Sequence, residues 1–229
     1  MKFGIFYEHQ LPRPWTEGAE LRLFQDALDQ VELADRLGID HAWEVEHHFL
    51  EEYSHSSAPE VFLAAASQRT KRIRLGHGIV LMPPGYNAPA RIAERIATLD
   101  LVSNGRVDWG TGESASRAEL EGFGIEADER RAMWRETVEQ VANMMVMDPY
   151  PGFQGKYFSM PAGMSFPSRC RSRTRRCGWP APIAIPSIWR RSSASAPSPS
   201  PSSIPRRRGS GWTTTTRRSR RSACPSGTR

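Results

Sequence analysis

Negative charge is missing from residues 164–229, and large aliphatic side chains are scarce there. Residues 164–229 contain no Lys, Asp or Glu, and no Leu, Val, Tyr, His, Asn or Gln. Arg, Ser and Pro supply 39 of these 66 residues, 15 of them Arg. All 25 Asp and Glu lie earlier in the chain, so the formal charge is −9 before residue 164 and +15 after it. Because a core needs aliphatic side chains, we predict a folded domain over residues 1–163 and a disordered tail over residues 164–229.

The tail has two interpretations. A basic segment rich in Ser and Pro is typical of a disordered arm that binds nucleic acid. The alternative is out-of-frame translation of a GC-rich gene, which yields Arg, Ser, Pro and Ala. When each codon starts one nucleotide earlier, residues 180–189 can encode Ala-x-Ser-Asn-Arg-Asp-Thr-Ile-His-Leu, and residues 212–216 can encode Val-Asp-Asp-Tyr-Tyr. We favour a non-native tail produced by a frameshift between residues 159 and 173.

Cysteine is also absent before the tail, since Cys170, Cys177 and Cys224 all lie within it. This excludes a disulfide framework and a thiolate metal site from the folded part. The chain opens with no signal peptide and no apolar run long enough to span a membrane, so we expect no membrane segment and a cytoplasmic location. The negative charge of residues 1–163 argues against nucleic-acid binding by the folded part.

Apolar runs alternate with amphipathic segments along the folded part. The patterns predict strands at residues 3–6, 39–45, 73–82 and 107–109, and helices at residues 24–37, 59–67, 88–101 and 129–147. Such alternation is typical of a parallel sheet with right-handed crossovers. A complete eightfold barrel needs about 250 residues. The class is therefore parallel α/β, and the pattern alone leaves open whether the sheet is open or part of a barrel.

Polar and glycine residues gather where the predicted strands end, which is where parallel α/β folds build their sites. His47-His48 is the sharpest of these features. Adjacent side chains on an extended segment point to opposite sides, so one histidine at most faces a given pocket. It would act there as an acid or base or bind a ligand, or both histidines would merely cap the loop. No zinc-binding spacing accompanies them, so we predict no metal site.

Two glycine-containing segments are also candidates. Residues 110–114, Gly-Thr-Gly-Glu-Ser, follow a strand and either hold a phosphate or flat ring or simply lead into a helix. Gly76-His77-Gly78 interrupts a strand, which indicates a bulge or a close backbone approach to a ligand, or relief of packing.

Taken together, several stretches resemble the bacterial luciferase-like flavin-dependent monooxygenases, in the order and spacing of that family. They are residues 1–6 (Met-Lys-Phe-Gly-Ile-Phe), 43–49 (Trp-Glu-Val-Glu-His-His-Phe), 75–81 (Leu-Gly-His-Gly-Ile-Val-Leu), 87–89 (Asn-Ala-Pro), 99–100 (Leu-Asp), 103–106 (Ser-x-Gly-Arg) and the 110–124 loop. The family fold is a TIM barrel. The resemblance therefore implies that residues 1–163 form the N-terminal half of a TIM (β/α)8 barrel.

The resemblance also implies an activity. Reduced FMN, supplied by a separate flavin reductase, and O₂ would oxygenate a small organic substrate, and the intact family fold is commonly a homodimer. His47 matches the family's catalytic histidine. The implied cofactor-binding residues are Glu46, His77, Gly78, Thr111, Gly112, Glu113 and Ser114. The His77–Gly78 link matches the position of a non-prolyl cis peptide against the flavin ring. Glu113 and Ser114 match the loop near the flavin phosphate, where Glu113 stands in place of the family's arginine.

Three alternatives remain beside this interpretation. A related oxidoreductase would use a deazaflavin instead of FMN. A non-catalytic, defective fragment would result if the chain is made as written, because the family's Ser-Asn-Arg-Asp-Thr-type phosphate segment is encoded only in the shifted frame. Such a half-barrel exposes strand edges, so we expect poor solubility and impaired activity. A nucleic-acid-binding protein would instead use the arginine-rich tail.

Overall fold

The computed structural model describes residues 1–165 and 167. Four parallel strands form one sheet in the order β1-β2-β3-β4. The strands are β1 (Gly4–Tyr7), β2 (His41–Glu44), β3 (Arg74–Leu81) and β4 (Val107–Gly112). This confirms the predicted parallel α/β class and all four predicted strands. Within the described residues, β1 pairs only with β2 and β4 only with β3, so the sheet is open at both edges.

The strands are connected by helices, and their ends follow simple local rules. The helices are α1 (Ala19–Leu37), α2 (Pro59–Arg69), α3 (Pro89–Val102), α4 (Arg117–Gly122) and α5 (Arg130–Met144). Gly38 ends α1 in the left-handed conformation, with φ of 85°, as its glycine C-cap predicts. Pro59 and Pro89 each start a helix at the position where a missing N–H costs nothing.

Two elements were not predicted. The short helix α4 begins at Ser116, whose hydroxyl accepts a hydrogen bond from the backbone N–H of Glu119. An antiparallel hairpin of β5 (Phe153–Gln154) and β6 (Ser159–Met160) follows α5. Both elements are too short to show a hydrophobic period in the sequence.

The core lies between the sheet and its helices in two clusters. One packs α1 and α2 against the sheet and centres on Val31, Leu63, Ile73 and Leu75. The other packs α3 and α5 against it and includes Ile92, Ile96, Val141, Met144 and Tyr150. The opposite face of the sheet is more open: Phe6 on β1 is 55% exposed. One face of each strand therefore builds the core, and the other is free to line a site.

The predicted domain boundary at residue 163 falls inside a local pairing. Tyr150 donates its backbone N–H to the Met164 carbonyl oxygen at 2.9 Å, and Ser165 Oγ lies 2.9 Å from an Asp148 carboxylate oxygen. The rest of the predicted disordered tail, its cysteines and the segment assigned to a shifted reading frame lie outside the described residues. Within the described part, no helix combines the length and apolar composition that crossing a membrane requires.

Candidate active site at the carboxyl edge of the sheet

His47 lies just beyond the carboxyl end of β2, and the carboxylate of Glu119 orients its ring. His47 Nδ1 is 2.9 Å from Glu119 Oε1. Glu119 is 1% exposed, although it lies on the short surface helix α4. An ionised carboxylate only accepts hydrogen bonds, so the proton between these atoms sits on Nδ1 of a neutral or charged imidazole. The opposite nitrogen, Nε2, is then the atom left to exchange protons.

Two further hydrogen bonds hold the Glu119 carboxylate in place. The backbone N–H of His48 donates to Oε1 at 2.9 Å, and the Ser114 hydroxyl donates to Oε2. Burial alone raises the pKa of Glu119, but the hydrogen bonds from His47, Ser114 and His48 outweigh it and the pKa lies below its usual value. Glu119 is therefore a fixed anion at neutral pH.

The proton affinity of His47 follows from this anion. The hydrogen bond to Glu119 raises the pKa of His47 above its usual value, burial opposes that shift, and the charges of Glu119 and Glu8 add to it. His47 Nε2 lies 3.7 Å from Glu8 Oε2, at the end of β1, and the side chain is 26% exposed. The Tyr53 ring packs edge-on against the imidazole at a centroid distance of 5.5 Å. An imidazole held this way has the form of a general acid or base.

His48 faces the other way, as the alternation along an extended segment predicts. Its Nε2 is 3.3 Å from Glu46 Oε1, and its ring packs edge-on against Phe123 at 4.9 Å. The two histidines thus contact different carboxylates, and only His47 reaches Glu119 with its side chain.

Glu46 connects the loop after β2 to the end of β3 and to the loop that follows β3. Its Oε2 accepts the backbone N–H of Leu81 at 2.7 Å, and its Oε1 accepts the Asn87 side-chain amide at 2.8 Å. Both oxygens are engaged by the protein, and the residue is buried. Its expected contact with a cofactor therefore stays a prediction, one that these hydrogen bonds do not favour.

His77 is not brought together with His47. The strand continues to Leu81, so His77 lies inside β3, and its side chain is buried among the helices. It lines a small cavity of about 10 Å³ with Ile92 and Arg95 of α3. Burial lowers the pKa of His77 to about 4, so the imidazole is neutral at pH 7. A cofactor contact by this residue would have to come from its backbone.

The expected cis peptide at His77–Gly78 is wrong. Among the described residues the cis peptide bonds are Arg13–Pro14 and Asp148–Pro149. The trans form avoids a cost of about 3–4 kcal/mol for a non-prolyl bond. His77 also pairs with strands on both sides, Glu44 on β2 and Trp109 on β4. The sequence predicted an irregularity in this strand, and the structure shows it as a shift of register between His77 and Val80.

Glycines on β3 allow aromatic rings to lie close to the sheet on its open face. A Cβ on Gly76 would overlap the Trp43 ring, and a Cβ on Gly78 would come 2.8 Å from the Phe6 ring. Phe6 and Trp43 are paired neighbours on β1 and β2. Together they form a partly exposed aromatic wall on the open face of the sheet. Glu8 and His47 follow the carboxyl ends of the same two strands. This wall fits a flat, apolar ring bordered by a polar edge.

The residues predicted from the 110–114 loop do not act as one unit. Thr111 faces α5, where its hydroxyl accepts a hydrogen bond from Trp134 Nε1 at 3.1 Å. Gly112 packs against Ile79. Glu113 Oε1 lies 3.9 Å from Arg130 Nε, near the start of α5. Ser114 alone reaches the His47 cluster, through Glu119.

Ser114 has a backbone φ of 65°, a left-handed conformation that costs energy in a non-glycine residue. That conformation accompanies the hydrogen bond from its hydroxyl to Glu119. Sequence reasoning missed Glu119. The available signal was the spacing Ser116-x-x-Glu119, which is typical of a helix start. Within the described residues, no three His, Cys, Asp or Glu side chains are grouped to hold a metal ion.

Known proteins resemble this chain at the level of both sequence and fold. A family model described as luciferase-like monooxygenase matches residues 1–196. A limonene 1,2-monooxygenase of Rhodococcus erythropolis is 38% identical over 135 residues, covering 57% of this chain and 33% of the relative. The oxygenase component of a flavin-dependent trigonelline monooxygenase of Acinetobacter baylyi is 29% identical over 171 residues, covering 73% and 45%.

Relatives that use a different cofactor also match. An F420-dependent glucose-6-phosphate dehydrogenase of Amycolatopsis mediterranei is 32% identical over 142 residues, covering 59% of this chain and 42% of the relative. Among solved structures, the monooxygenase RslO1 of Streptomyces bottropensis superposes with a TM-score of 0.68 at 35% identity, covering 75% of this chain and 51% of that chain. The chain thus spans less than half the length of these curated relatives and about half of the solved structure.

Proposed function

Because the chain belongs to the luciferase-like monooxygenase family, we propose that residues 1–163 carry half of a flavin-dependent oxygenase site with His47 as its acid–base group. The observation that carries this proposal is the 2.9 Å contact between His47 Nδ1 and the buried Glu119 carboxylate. It fixes the ring and its tautomer and leaves Nε2 directed toward Glu8, on the partly exposed side of the residue. Such an arrangement suits proton transfer at one defined atom.

The aromatic wall of Phe6 and Trp43 would bind the flat ring of the cofactor. When bound, a reduced flavin supplies the electrons that activate O₂, and a small organic substrate receives one oxygen atom. The protein's own part is to orient the ring, exclude water from one side of it and manage protons. His47 Nε2 would hold or release a proton beside the ring, while Glu119 stabilises the protonated imidazole.

The cofactor we favour is FMN, supplied in reduced form by a separate flavin reductase. The relative named as the oxygenase component of a flavin-dependent system supports a two-component arrangement. A homodimer of the complete fold stays a proposal of the same kind. One feature is unfavourable for FMN: Glu113 places a carboxylate in the loop expected near the phosphate. Arg130 at 3.9 Å compensates for part of that charge.

The second candidate is a deazaflavin-dependent oxidoreductase. It is favoured by the F420-dependent relative, which is 32% identical over 142 residues. The residues above do not distinguish the two, because the aromatic wall suits either ring system. A titration of the full chain with reduced FMN and with reduced F420, kept anaerobic and followed by quenching of the protein's tryptophan fluorescence, separates them. We expect the tighter binding for FMN.

The function is tested with the full chain, reduced FMN and His47→Gln. Because the chain carries half of the site, we expect impaired activity but measurable FMN binding by the unchanged chain. His47→Gln should keep that binding and change the rate at which O₂ oxidises the bound, reduced flavin. His55→Gln is the matched control, because the His55 side chain contacts Glu20 of α1 and neither Glu119 nor the aromatic wall. An unchanged chain that binds no FMN would instead support a defective, non-catalytic fragment, which the two open strand edges also suggest.

A further inference from the structure

Behind the candidate site lies a buried polar cluster of His9, Glu44 and Ser56. Glu44 is completely buried on the helix side of β2, and Ser56 and His9 are 1% and 4% exposed. Ser56 Oγ is 2.5 Å from Glu44 Oε1, and His9 Nε2 is 2.9 Å from the same oxygen. A buried carboxylate is costly unless such partners compensate it.

The cluster ties together three segments of the chain that are distant in sequence. His9 follows β1, Glu44 ends β2, and Ser56 lies in the loop before α2. The backbone N–H of His55 also donates to the His9 carbonyl oxygen at 3.1 Å. The ring of His9 is enclosed by Phe24 at 4.5 Å and Phe62 at 4.8 Å. Glu44 therefore sits where these three segments meet.

From this cluster a short path leads to His47. Ser56 Oγ bonds Glu44 and also lies 2.7 Å from the Val45 carbonyl oxygen, two residues before His47. The Ser56 carbonyl oxygen accepts the backbone N–H of His47 at 2.8 Å. Its side chain and main chain thus hold the backbone immediately before the side chain of His47.

We propose that Glu44 is a positioning residue for His47, acting through Ser56. The buried carboxylate fixes the Ser56 hydroxyl, Ser56 fixes the backbone of His47, and the imidazole is thereby held within hydrogen-bonding distance of Glu119. The proposal concerns the acid–base group of the proposed function and rests on it. Its test observes His47 itself and not turnover, so failure of the two proposals can be distinguished.

The proposed path runs through hydrogen bonds and not through the charge of Glu44. Burial raises the pKa of Glu44, although the His9 and Ser56 contacts act in the opposite direction. A glutamine at this position keeps an acceptor for the Ser56 hydroxyl, whereas an alanine removes it and leaves a hole. The two substitutions therefore separate the hydrogen-bonding path from the charge.

The test is an NMR titration of the His47 imidazole in the full chain. In Ser56→Ala and Glu44→Ala we expect the titration midpoint of His47 to fall toward that of an ordinary histidine, because the contact with Glu119 loosens. In Glu44→Gln it stays near the wild-type midpoint. The control is Glu20→Gln. Glu20 lies on α1 and contacts His55 Nδ1 at 2.8 Å, next to Ser56 in the same loop, but it contacts neither Glu44 nor His47.

Two results would overturn the proposal. One is an unchanged His47 midpoint in Ser56→Ala and Glu44→Ala together with lower thermal stability, which would make the cluster part of the core and nothing more. The other is a midpoint that moves equally in Glu20→Gln, which would show that the loop responds to any change. If Glu44→Ala does not fold, Ser56→Ala, which keeps the backbone bond to His47, is compared with Glu44→Gln. A lower midpoint in Ser56→Ala with an unchanged midpoint in Glu44→Gln supports the proposal, and an unchanged midpoint in both refutes it.

Discussion

Glu119 Oε1 lies 2.9 Å from His47 Nδ1, and this contact joins a six-residue helix to the loop after β2. The two residues are 72 positions apart in the chain. The pair explains how a surface helix takes part in the site, because Glu119 turns its carboxylate inward while α4 covers it. A change that moves the Glu119 carboxylate is thereby expected to reach the acid–base group.

The first prediction concerns this pair. Glu119→Gln removes the negative charge and replaces one acceptor oxygen by a donor. We expect the pKa of His47 to fall, because the hydrogen bond to Glu119 is the main cause that raises it. The measurement is an NMR titration of the His47 ring. Glu121→Gln is the control, since Glu121 lies on the same helix but pairs with the exposed Arg117. An unchanged midpoint in Glu119→Gln would refute the assigned orientation.

The second prediction concerns the phosphate end of the cofactor. Glu113→Gln removes a carboxylate from the loop after β4, while Arg130 remains 3.9 Å from that position. We expect FMN binding to strengthen relative to riboflavin, which has the same ring and no phosphate. The ratio of the two dissociation constants, from fluorescence titrations, is the measurement. Equal changes for both ligands would show that residue 113 does not face the phosphate.

The third prediction concerns the close packing of β3 and β4. A Cβ on Gly110 would overlap the His77 carbonyl oxygen, a backbone atom that cannot turn aside. Gly110→Ala is therefore expected to lower the free energy of unfolding by about 1–3 kcal/mol, as overpacking does. Gly112→Ala is the comparison, because its nearest neighbour is the flexible end of the Ile79 side chain. Urea denaturation of both variants should show the larger loss for Gly110→Ala.

Sequence patterns were enough to find the sheet and the His47-His48 pair, and the family resemblance then selected His47. The apolar runs that form β1 to β4 are separated by helices, several of which begin at a proline or end at a glycine. Local rules therefore determine where these strands and helices lie. The position of His47 after β2 followed from the same pattern, because the carboxyl ends of parallel strands share one edge.

Contacts between distant segments account for what the sequence did not reveal. Glu119 belongs to a helix of six residues, and its partner is set only when β2 and α4 meet in space. The sequence predicted the length of β3 correctly, but the side of the sheet that His77 faces depends on the local register of the strand, which shifts between His77 and Val80. A local pattern contains neither kind of information.

The last prediction uses two histidines with opposite shifts. Burial lowers the pKa of His77 from 6.5 to about 4, so the unfolded chain binds a proton more readily than the folded one between these pH values. Stability from His77 is present above pH 6.5 and is lost as the pH falls toward 4, by about 3 kcal/mol at 1.36 kcal/mol per pH unit. The pKa of His47 is raised, so its contribution is present below pH 6.5 and is lost as the pH rises through its folded value. Urea denaturation between pH 4.5 and 8 should show a shallower acid slope for His77→Gln and a shallower slope above pH 6.5 for His47→Gln. Slopes that change in the same pH range for both variants would contradict the buried, helix-facing position of His77.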